Sequence, residues 1–290
     1  MNRRVASMLA AATLIGSGMA TVGPAAATDV SGGRPPLHAG TIAVASHRAT
    51  ATARTVTLVA PKDMTEGDRF VVVARITAPR KARTIQWQAL LPAYLGDPTP
   101  KWTVVKTTRV NGNPKRTYKA LAGLSETQRY RAVVTYVDSR PVRSRAISVR
   151  VWHWTDLTTY QAYYKVGTVY DNPYFSFPMN GDTWTGWRTT SSMAESRYTL
   201  GRNCKAFRGT LGVDDYTDDG GTAQITLLTE ETNVVYTSPT LVPGQVVAVQ
   251  FDLDSPYRFG IQGRNTTPDD GIARDVSPAI GAAQFLCHVG

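Results

Sequence analysis

Short segments in which apolar and polar residues alternate recur along the chain from about residue 54. The segment RTVTLVAP (54–61) alternates, and DRFVVVARITA (68–78) is rich in β-branched residues. Five more segments of this kind follow: TIQWQALL, KWTVVKTTRV, RTYKALAG, RYRAVVTYV and AISVRVW. Turn-forming residues such as EGD, GDPTP and NGNP separate them. About seven strands at near-regular spacing over roughly a hundred residues predict a β-sandwich.

Two aromatic residues occupy positions that are typical of a β-sandwich. Trp87 lies in the third segment, where a sandwich often buries a core tryptophan. Tyr130 lies where a tyrosine corner would fix a loop to the start of a late strand. The strand pattern resembles an immunoglobulin-like domain of bacterial extracellular proteins, without the inter-sheet cysteine pair of antibody domains.

A second series of strand-like segments follows after residue 155. It comprises GTAQITLLT, NVVYTSPTLV, QVVAVQFDLDS, YRFGIQGRN and AAQFLC, and no ten-residue window has helical periodicity. Strand character stops near WHWTDLTTY, where Trp152 and Trp154 are expected to pack between two domains. The sequence therefore predicts an all-β chain with a basic sandwich at 54–154 and a second domain at 155–290.

The charge distribution supports this division. Residues 50–154 carry nineteen Lys/Arg and six Asp/Glu, a net of +13, whereas residues 155–290 carry nine and fifteen, a net of −6. A surface as basic as the first attracts polyanions. For an exported protein an anionic envelope polymer, such as a teichoic acid-like polymer or acidic glycan, is the expected partner, and nucleic acid is not. A surface that only confers solubility is the alternative.

Export is predicted by the first residues. Arg3 and Arg4 precede a short apolar stretch and an A-x-A site ending at Ala27, which is the pattern of a signal peptide over 1–27. Residues 28–53 read as a flexible spacer. No other segment could cross a bilayer, so we expect a secreted, extracellular or cell-wall-associated protein with no membrane span after signal cleavage.

Cysteine usage agrees with export. Cys204 and Cys287 are the only two cysteines. An even pair in an oxidising compartment favours a disulfide. Two free cysteines are the alternative, and no Cys/His spacing suggests zinc.

The second domain resembles a known family over about Tyr198 to Cys287. The landmarks, in order, are YTLGRNCKAFRGTLGVDD, VVYTSPTLVPGQ, VQFDLDSPYRFGIQGR and AIGAAQFLC. They resemble the NPCBM family of carbohydrate-binding modules. The resemblance implies a galactose-binding-like jelly-roll β-sandwich and a carbohydrate or cell-wall polymer as the partner.

Sugar-binding chemistry is concentrated in YDNPYFSFPMNGDTWTGWRTTSS (170–192). Aromatic rings stack on pyranose faces, and polar side chains hydrogen-bond to the hydroxyl groups. The candidate ligand-binding residues are Tyr174, Asp182, Trp184, Trp187 and Arg188. Trp184 and Trp187 are predicted to lie in a Gly-flanked loop with their rings exposed. Alternatively, these aromatic residues form the first strands of the domain and its core.

Four aspartates form a candidate metal site. Asp214, Asp215, Asp218 and Asp219 precede two glycines, and carboxylates on a turn are ligands that Ca²⁺ accepts. A structural Ca²⁺ is the only cofactor that the sequence suggests. A solvated acidic turn is the alternative interpretation.

The sequence does not favour an enzyme. The adjacent pair Glu230 and Glu231 is poorly arranged for a glycosidase, and there is no G-x-S-x-G motif. We expect a secreted non-catalytic glycan-binding protein that acts at the cell envelope or outside the cell. The alternatives are a structural or adhesive envelope protein making protein or polyanion contacts, and a glycoside hydrolase.

Overall fold

The regular structure of the protein is almost entirely β-strand. The computed structural model describes residues 53–92 and 99–288. Over these residues the helical segments are two short 3₁₀ helices, Pro79–Lys81 and Leu157–Thr159. The prediction of an all-β chain is therefore confirmed.

Two predictions about the N-terminus fall outside this part of the chain. The signal peptide (1–27) and nearly all of the spacer (28–53) precede the described residues. Between residue 53 and residue 288, leaving out 93–98, no helix is long and apolar enough to span a membrane.

The first sandwich consists of two packed layers. Its strands are β1 (Val56–Val59), β2 (Asp63–Thr65), β3 (Arg69–Ile76), β4 (Ala82–Leu91), β5 (Lys101–Arg109), β6 (Lys115–Leu121), β7 (Thr127–Tyr136), β8 (Val142–Arg143) and β9 (Ile147–Asp156). One layer has the order β1-β3-β6 and the other has the order β9-β7-β4-β5. Strand β2 lies parallel to β9, and β8 pairs with β7. All seven predicted segments are strands, and the immunoglobulin-like resemblance stays a prediction.

The core of this sandwich contains both aromatic residues that the sequence singled out. Trp87 is buried and stacks against Tyr118, with ring centroids 5.8 Å apart. Tyr130 is buried too, and its hydroxyl lies 3.0 Å from the side-chain amide of Gln128. Burial raises the pKa of Tyr130 to about 12, because a phenolate loses its hydration there.

The second sandwich also has two layers. Its strands are β10 (Ala162–Val166), β11 (Val169–Tyr170), β12 (Ser176–Met179), β13 (Asp182–Thr189), β14 (Met193–Thr199), β15 (Cys204–Val213), β16 (Ala223–Thr229), β17 (Asn233–Thr237), β18 (Val246–Asp252), β19 (Arg258–Asn265) and β20 (Pro278–Cys287). A five-stranded sheet has the order β10-β14-β19-β16-β17. The opposite layer runs through β18, β15, β20 and β13, with β11 and β12 paired to β13.

The core of the second sandwich includes the predicted disulfide. Cys204 and Cys287 are paired residues of β15 and β20, and their sulfurs are bonded. Both cysteines are buried among Phe207, Phe259 and Phe285. The disulfide prediction is confirmed, and the bond links the neighbouring strands β15 and β20 of one layer.

Strand β9 belongs to both sandwiches. Its first part pairs with β7 and β2, and residues 153–156 pair with β20. The prediction that strand character stops near residue 152 is wrong, because the distant strand β20 supplies hydrogen bonds to residues 153–156. Trp152 packs with Ala206 and Leu286 beside Trp154.

Candidate functional site

The hairpin of β12 and β13 carries most of the predicted sugar-binding residues. Trp187 lies in β13 and is fully buried in the core, and its indole N–H donates to Ser196 Oγ at 2.6 Å. A buried ring cannot stack on a sugar, so the prediction of an exposed Trp187 in a loop is wrong. The alternative stated above, that these aromatic residues build strands and core, describes Trp187 correctly.

Trp184 is half-buried, and its ring covers the backbone of β20. Its indole N–H donates to the carbonyl of Met179 at 3.0 Å. A Cβ placed on Gly281 would lie 2.3 Å from the Trp184 ring, so glycine is needed for this contact. Asp182 is exposed on the same hairpin, and Tyr174, in the loop before β12, is 96% exposed.

Arg188 is engaged in a buried ion pair. Its Nε lies 2.5 Å from Oδ2 of Asp214, which is fully buried. Burial raises the pKa of Asp214, and the guanidinium of Arg188 partly offsets that effect. The guanidinium also lies 5.7 and 5.8 Å from the ring centroids of Tyr170 and Phe175. Arg188 is therefore surrounded by protein groups and little of it remains for a ligand.

Two of the other aspartates of the candidate calcium site, Asp215 and Asp218, have separate partners. Asp215 accepts the backbone N–H groups of Asn180 and Gly181 at 2.6 and 2.9 Å. Asp218 accepts the backbone N–H of Asp275 at 2.7 Å. Over residues 53–92 and 99–288, no group of three or more His, Cys, Asp or Glu side chains is placed to hold a metal ion. These carboxylates join neighbouring loops of the second sandwich.

A groove on the outer face of the five-stranded sheet has several polar side chains and one tyrosine in its lining. We call it the sheet groove; its volume is about 430 Å³, which is within the usual range for small-ligand sites. Strand register places Glu195 beside Gln262, and Gln262 beside Thr226. Arg264 lies beside Gln224 in the next row. The lining residues are Tyr164, Val166, Met193, Ala194, Glu195, Gln224, Thr226, Gln262, Gly263 and Arg264.

Several polar groups in the sheet groove have unused hydrogen-bonding capacity. Gln262 Nε2 donates to Glu195 Oε2 at 3.3 Å, and Gln224 Nε2 donates to the carbonyl of Ser238 at 3.2 Å. Within the described part of the chain, the amide oxygens of both glutamines and the guanidinium of Arg264 have no hydrogen-bond partner. The groove thus offers acceptors and a donor side by side.

An aromatic ring borders the same groove. Tyr164 on β10 is 42% exposed, and the guanidinium of Arg197 lies 4.7 Å from its ring centroid. Arg197 in turn pairs with Glu195 and with Glu231. The hydrogen bond that Arg197 donates to Glu195 raises the pKa of Arg197. This charge network holds the partly exposed ring at the edge of the sheet.

Core packing supports the sheet groove from below. A Cβ on Gly263 would lie 2.8 Å from the Trp187 ring, so that ring underlies the groove floor. Tyr198 is buried in the same region, where its hydroxyl donates to Asp171 at 2.7 Å. Burial, with the nearby carboxylate of Asp171, raises the pKa of Tyr198. These contacts fix β14 and β19 under the polar side chains.

Comparison with protein families finds a match for the middle of the second sandwich. Residues 177–275 match the NPCBM/NEW2 domain. The resemblance recognised in the sequence is therefore confirmed for that segment, and the match supports carbohydrate binding. Most of the sheet groove lies in the NPCBM/NEW2 domain, whereas Tyr164 and Val166 belong to β10, which precedes that domain in the chain.

Solved structures provide more distant similarities. The M60 catalytic domain with the CBM51-1 and CBM51-2 domains of Clostridium perfringens ZmpB is 11% identical, with a TM-score of 0.39. That match covers 82% of this chain and 32% of the Clostridium perfringens protein. This chain therefore spans about a third of the length of that protein. CBM51 from Clostridium perfringens GH95, in complex with methyl-galactose, is 14% identical with a TM-score of 0.37. It covers 46% of this chain and 99% of the other. No curated protein matches the chain.

Sequence reasoning missed the sheet groove of the NPCBM/NEW2 domain. Its residues are ordinary polar positions of alternating strands, such as Glu195, Gln224 and Gln262. Alternation predicts that such side chains face away from the core. The order of strands in the sheet was needed to bring them together.

Proposed function

We propose that this is a secreted, non-catalytic glycan-binding protein that acts at the cell envelope or outside the cell, and that the sheet groove is its binding site. The main support is the coincidence of unpaired polar groups with the exposed Tyr164 ring in one concave surface. That surface is formed largely by the NPCBM/NEW2 domain.

The groove offers the groups that a sugar needs. A pyranose ring placed on Tyr164 would cover the free face of its aromatic ring. Sugar hydroxyls both donate and accept hydrogen bonds. They could donate to the amide oxygens of Gln224 and Gln262 and accept from the guanidinium of Arg264.

The chemistry of the groove favours binding over hydrolysis. Glu195 is the single carboxylate among its lining residues. It is ion-paired with Arg197 and accepts a hydrogen bond from Gln262. Glycoside hydrolysis ordinarily uses two carboxyl groups about 5 to 9.5 Å apart, one of them protonated. A single carboxylate that is already paired with an arginine supports a non-catalytic role.

Two observations support export. The first 27 residues have the pattern of a signal peptide. The buried Cys204–Cys287 disulfide requires an oxidising compartment to form.

Binding of the mature chain to a panel of neutral glycans tests the proposal. For the glycan that binds best, Tyr164→Ala and Gln262→Ala are each expected to weaken binding about tenfold or more, since each removes a direct contact. Tyr174→Ala is the matched control, because it removes an exposed tyrosine that lies outside the groove. It is expected to leave the affinity unchanged.

Two results would contradict the assignment. If Tyr174→Ala abolished binding and the groove variants did not, the loop site containing Tyr174, Asp182 and Trp184 would be the glycan site. If the folded, oxidised chain bound no glycan, the structural or adhesive role would replace glycan binding. An arm with EDTA tests the calcium hypothesis, and we expect no change in affinity.

A further inference from the structure

The end of the first sandwich carries a second concave surface, which is positively charged. Its volume is about 610 Å³. It is formed by the first 3₁₀ helix, the start of β4 and the turn after β5. Arg80, Arg83 and Arg109 line it together with Asn111 and Gly112. We call this surface the arginine pocket.

The backbone fixes the positions from which these arginines project. Thr84 and Arg109 are paired residues of β4 and β5. The next backbone N–H, that of Val110, donates to the carbonyl of Arg83 at 2.9 Å. Asn111 and Gly112 then form a tight turn with φ of 48° and 71°. The arginines therefore come from adjoining rigid segments of the sandwich.

The arginine pocket carries positive charge with no counter-charge from the protein. Among the described residues, Arg80, Arg83 and Arg109 form no ion pair, and no acidic residue lines the pocket. The acid near the 3₁₀ helix, Asp138, is already paired with Arg54 at 2.7 Å and Lys81 at 3.3 Å. Three neighbouring guanidinium groups repel one another, so a bound anion would relieve that repulsion.

We infer that the arginine pocket binds the acidic groups of an anionic polysaccharide. Guanidinium forks hydrogen-bond to sulfate, phosphate and carboxylate oxygens in a bidentate manner. An open pocket suits one stretch of a polymer whose acidic groups repeat along the chain. The extracellular setting of this polymer rests on the function proposed above.

The lining of the arginine pocket argues against single-stranded nucleic acid. Proteins that bind single strands supply aromatic side chains on which the bases stack. The pocket is lined by Arg80, Ala82, Arg83, Thr84, Arg109, Asn111 and Gly112. None of these side chains is aromatic, so the pocket offers groups for acidic oxygens and none for bases.

The test compares two variants of the mature chain that lose the same charge. The pocket variant is R80Q/R83Q/R109Q. The control variant is R69Q/K106Q/R129Q, which alters three exposed residues outside the pocket that have no ion pair in the described part of the chain. Thermal unfolding checks that both variants fold, which is expected because each removes only exposed positive charges.

Binding is measured calorimetrically at one ionic strength with dextran sulfate, polyphosphate and polygalacturonate, which separate sulfate, phosphate and carboxylate recognition. The pocket variant is expected to bind at least one of the two polysaccharides about tenfold more weakly, and the control variant within about twofold of the parent chain. Tyr164→Ala is expected to leave this binding unchanged. The two proposals can therefore fail independently.

Three results would overturn the inference. Equal weakening in both variants would mean that bulk charge alone attracts the polymer. No binding of either polysaccharide by the parent chain would leave the pocket without its proposed ligand. Binding to single-stranded DNA or polyphosphate that depends on the pocket, without binding to the polysaccharides, would assign the pocket to a different polyanion.

Discussion

Breaking the Cys204–Cys287 disulfide is expected to destabilise the second sandwich by about 4.5 kcal/mol. The bond closes a loop with a sequence separation of 83 residues. In the chain-entropy model, opening a loop of that length gives the unfolded chain this additional freedom. Both cysteines are buried, so the bond must be reduced in denaturant and the chain refolded with reductant present.

Backbone hydrogen exchange in graded urea measures the effect strand by strand. Amides of β14 and β19, in the second sandwich, should exchange at lower urea in the reduced chain than in the oxidised chain. Amides of β4 and β7 provide an internal control, because the first sandwich lies outside the closed loop. The decrease in the opening free energy of the β14 and β19 amides directly measures the stability that the disulfide contributes.

A fall below about 1 kcal/mol would refute the reasoning, because the entropy of a loop this long predicts several times that value. It would indicate that strands β15 and β20 stay close together in the unfolded chain. An equal loss of protection in β4 and β7 would also contradict it. In that case the two sandwiches would unfold as one cooperative unit.

Two further predictions concern the aromatic residues Tyr130 and Trp184. The pKa of Tyr130 is about 12 in the folded chain and about 10 in an unfolded chain. The unfolded chain therefore loses this proton at lower pH, and the free energy of unfolding should fall as the pH rises from about 10 to about 12. Tyr130→Phe should remove about 1.9 kcal/mol of the loss between pH 9 and pH 11.5, and urea unfolding at these two pH values measures it; an unchanged pH dependence would contradict the assignment. Gly281→Ala should cost about 1–3 kcal/mol through overpacking against Trp184, and much less in a Trp184→Leu background. An equal cost in both backgrounds would show that the Trp184 ring is not the obstacle.

The all-β character of the chain could be predicted because alternation is a local property. A strand with one face in a core needs an apolar residue at every second position. The segments containing Trp87 and Tyr130 show that pattern, and both residues are buried where a sandwich would place them. The end of β9 could not be predicted, because His153, Thr155 and Asp156 are polar and this segment becomes a strand through pairing with β20.

The prediction for the site was less successful, for a related reason. Trp187 and Trp184 are only three positions apart, yet one is fully buried and the other is half-buried. An aromatic residue in a sequence does not reveal whether its ring faces ligand or core, because both uses exploit the same apolar surface. Asp214 illustrates the same ambiguity for carboxylates, since its burial beside Arg188 replaced the expected solvent or metal contact.

The sequence by itself determined the strand-forming segments, the charge reversal between the two halves, the cysteine pair and the NPCBM resemblance. Each of these depends on residue types and on their spacing along the chain. Only the tertiary structure decided which polar residues share a surface. Glu195, Gln224 and Gln262 lie on three strands far apart in sequence, and they meet because β14, β19 and β16 are neighbours in one sheet. That neighbourhood arises from hydrogen bonds between distant strands, which no local pattern encodes.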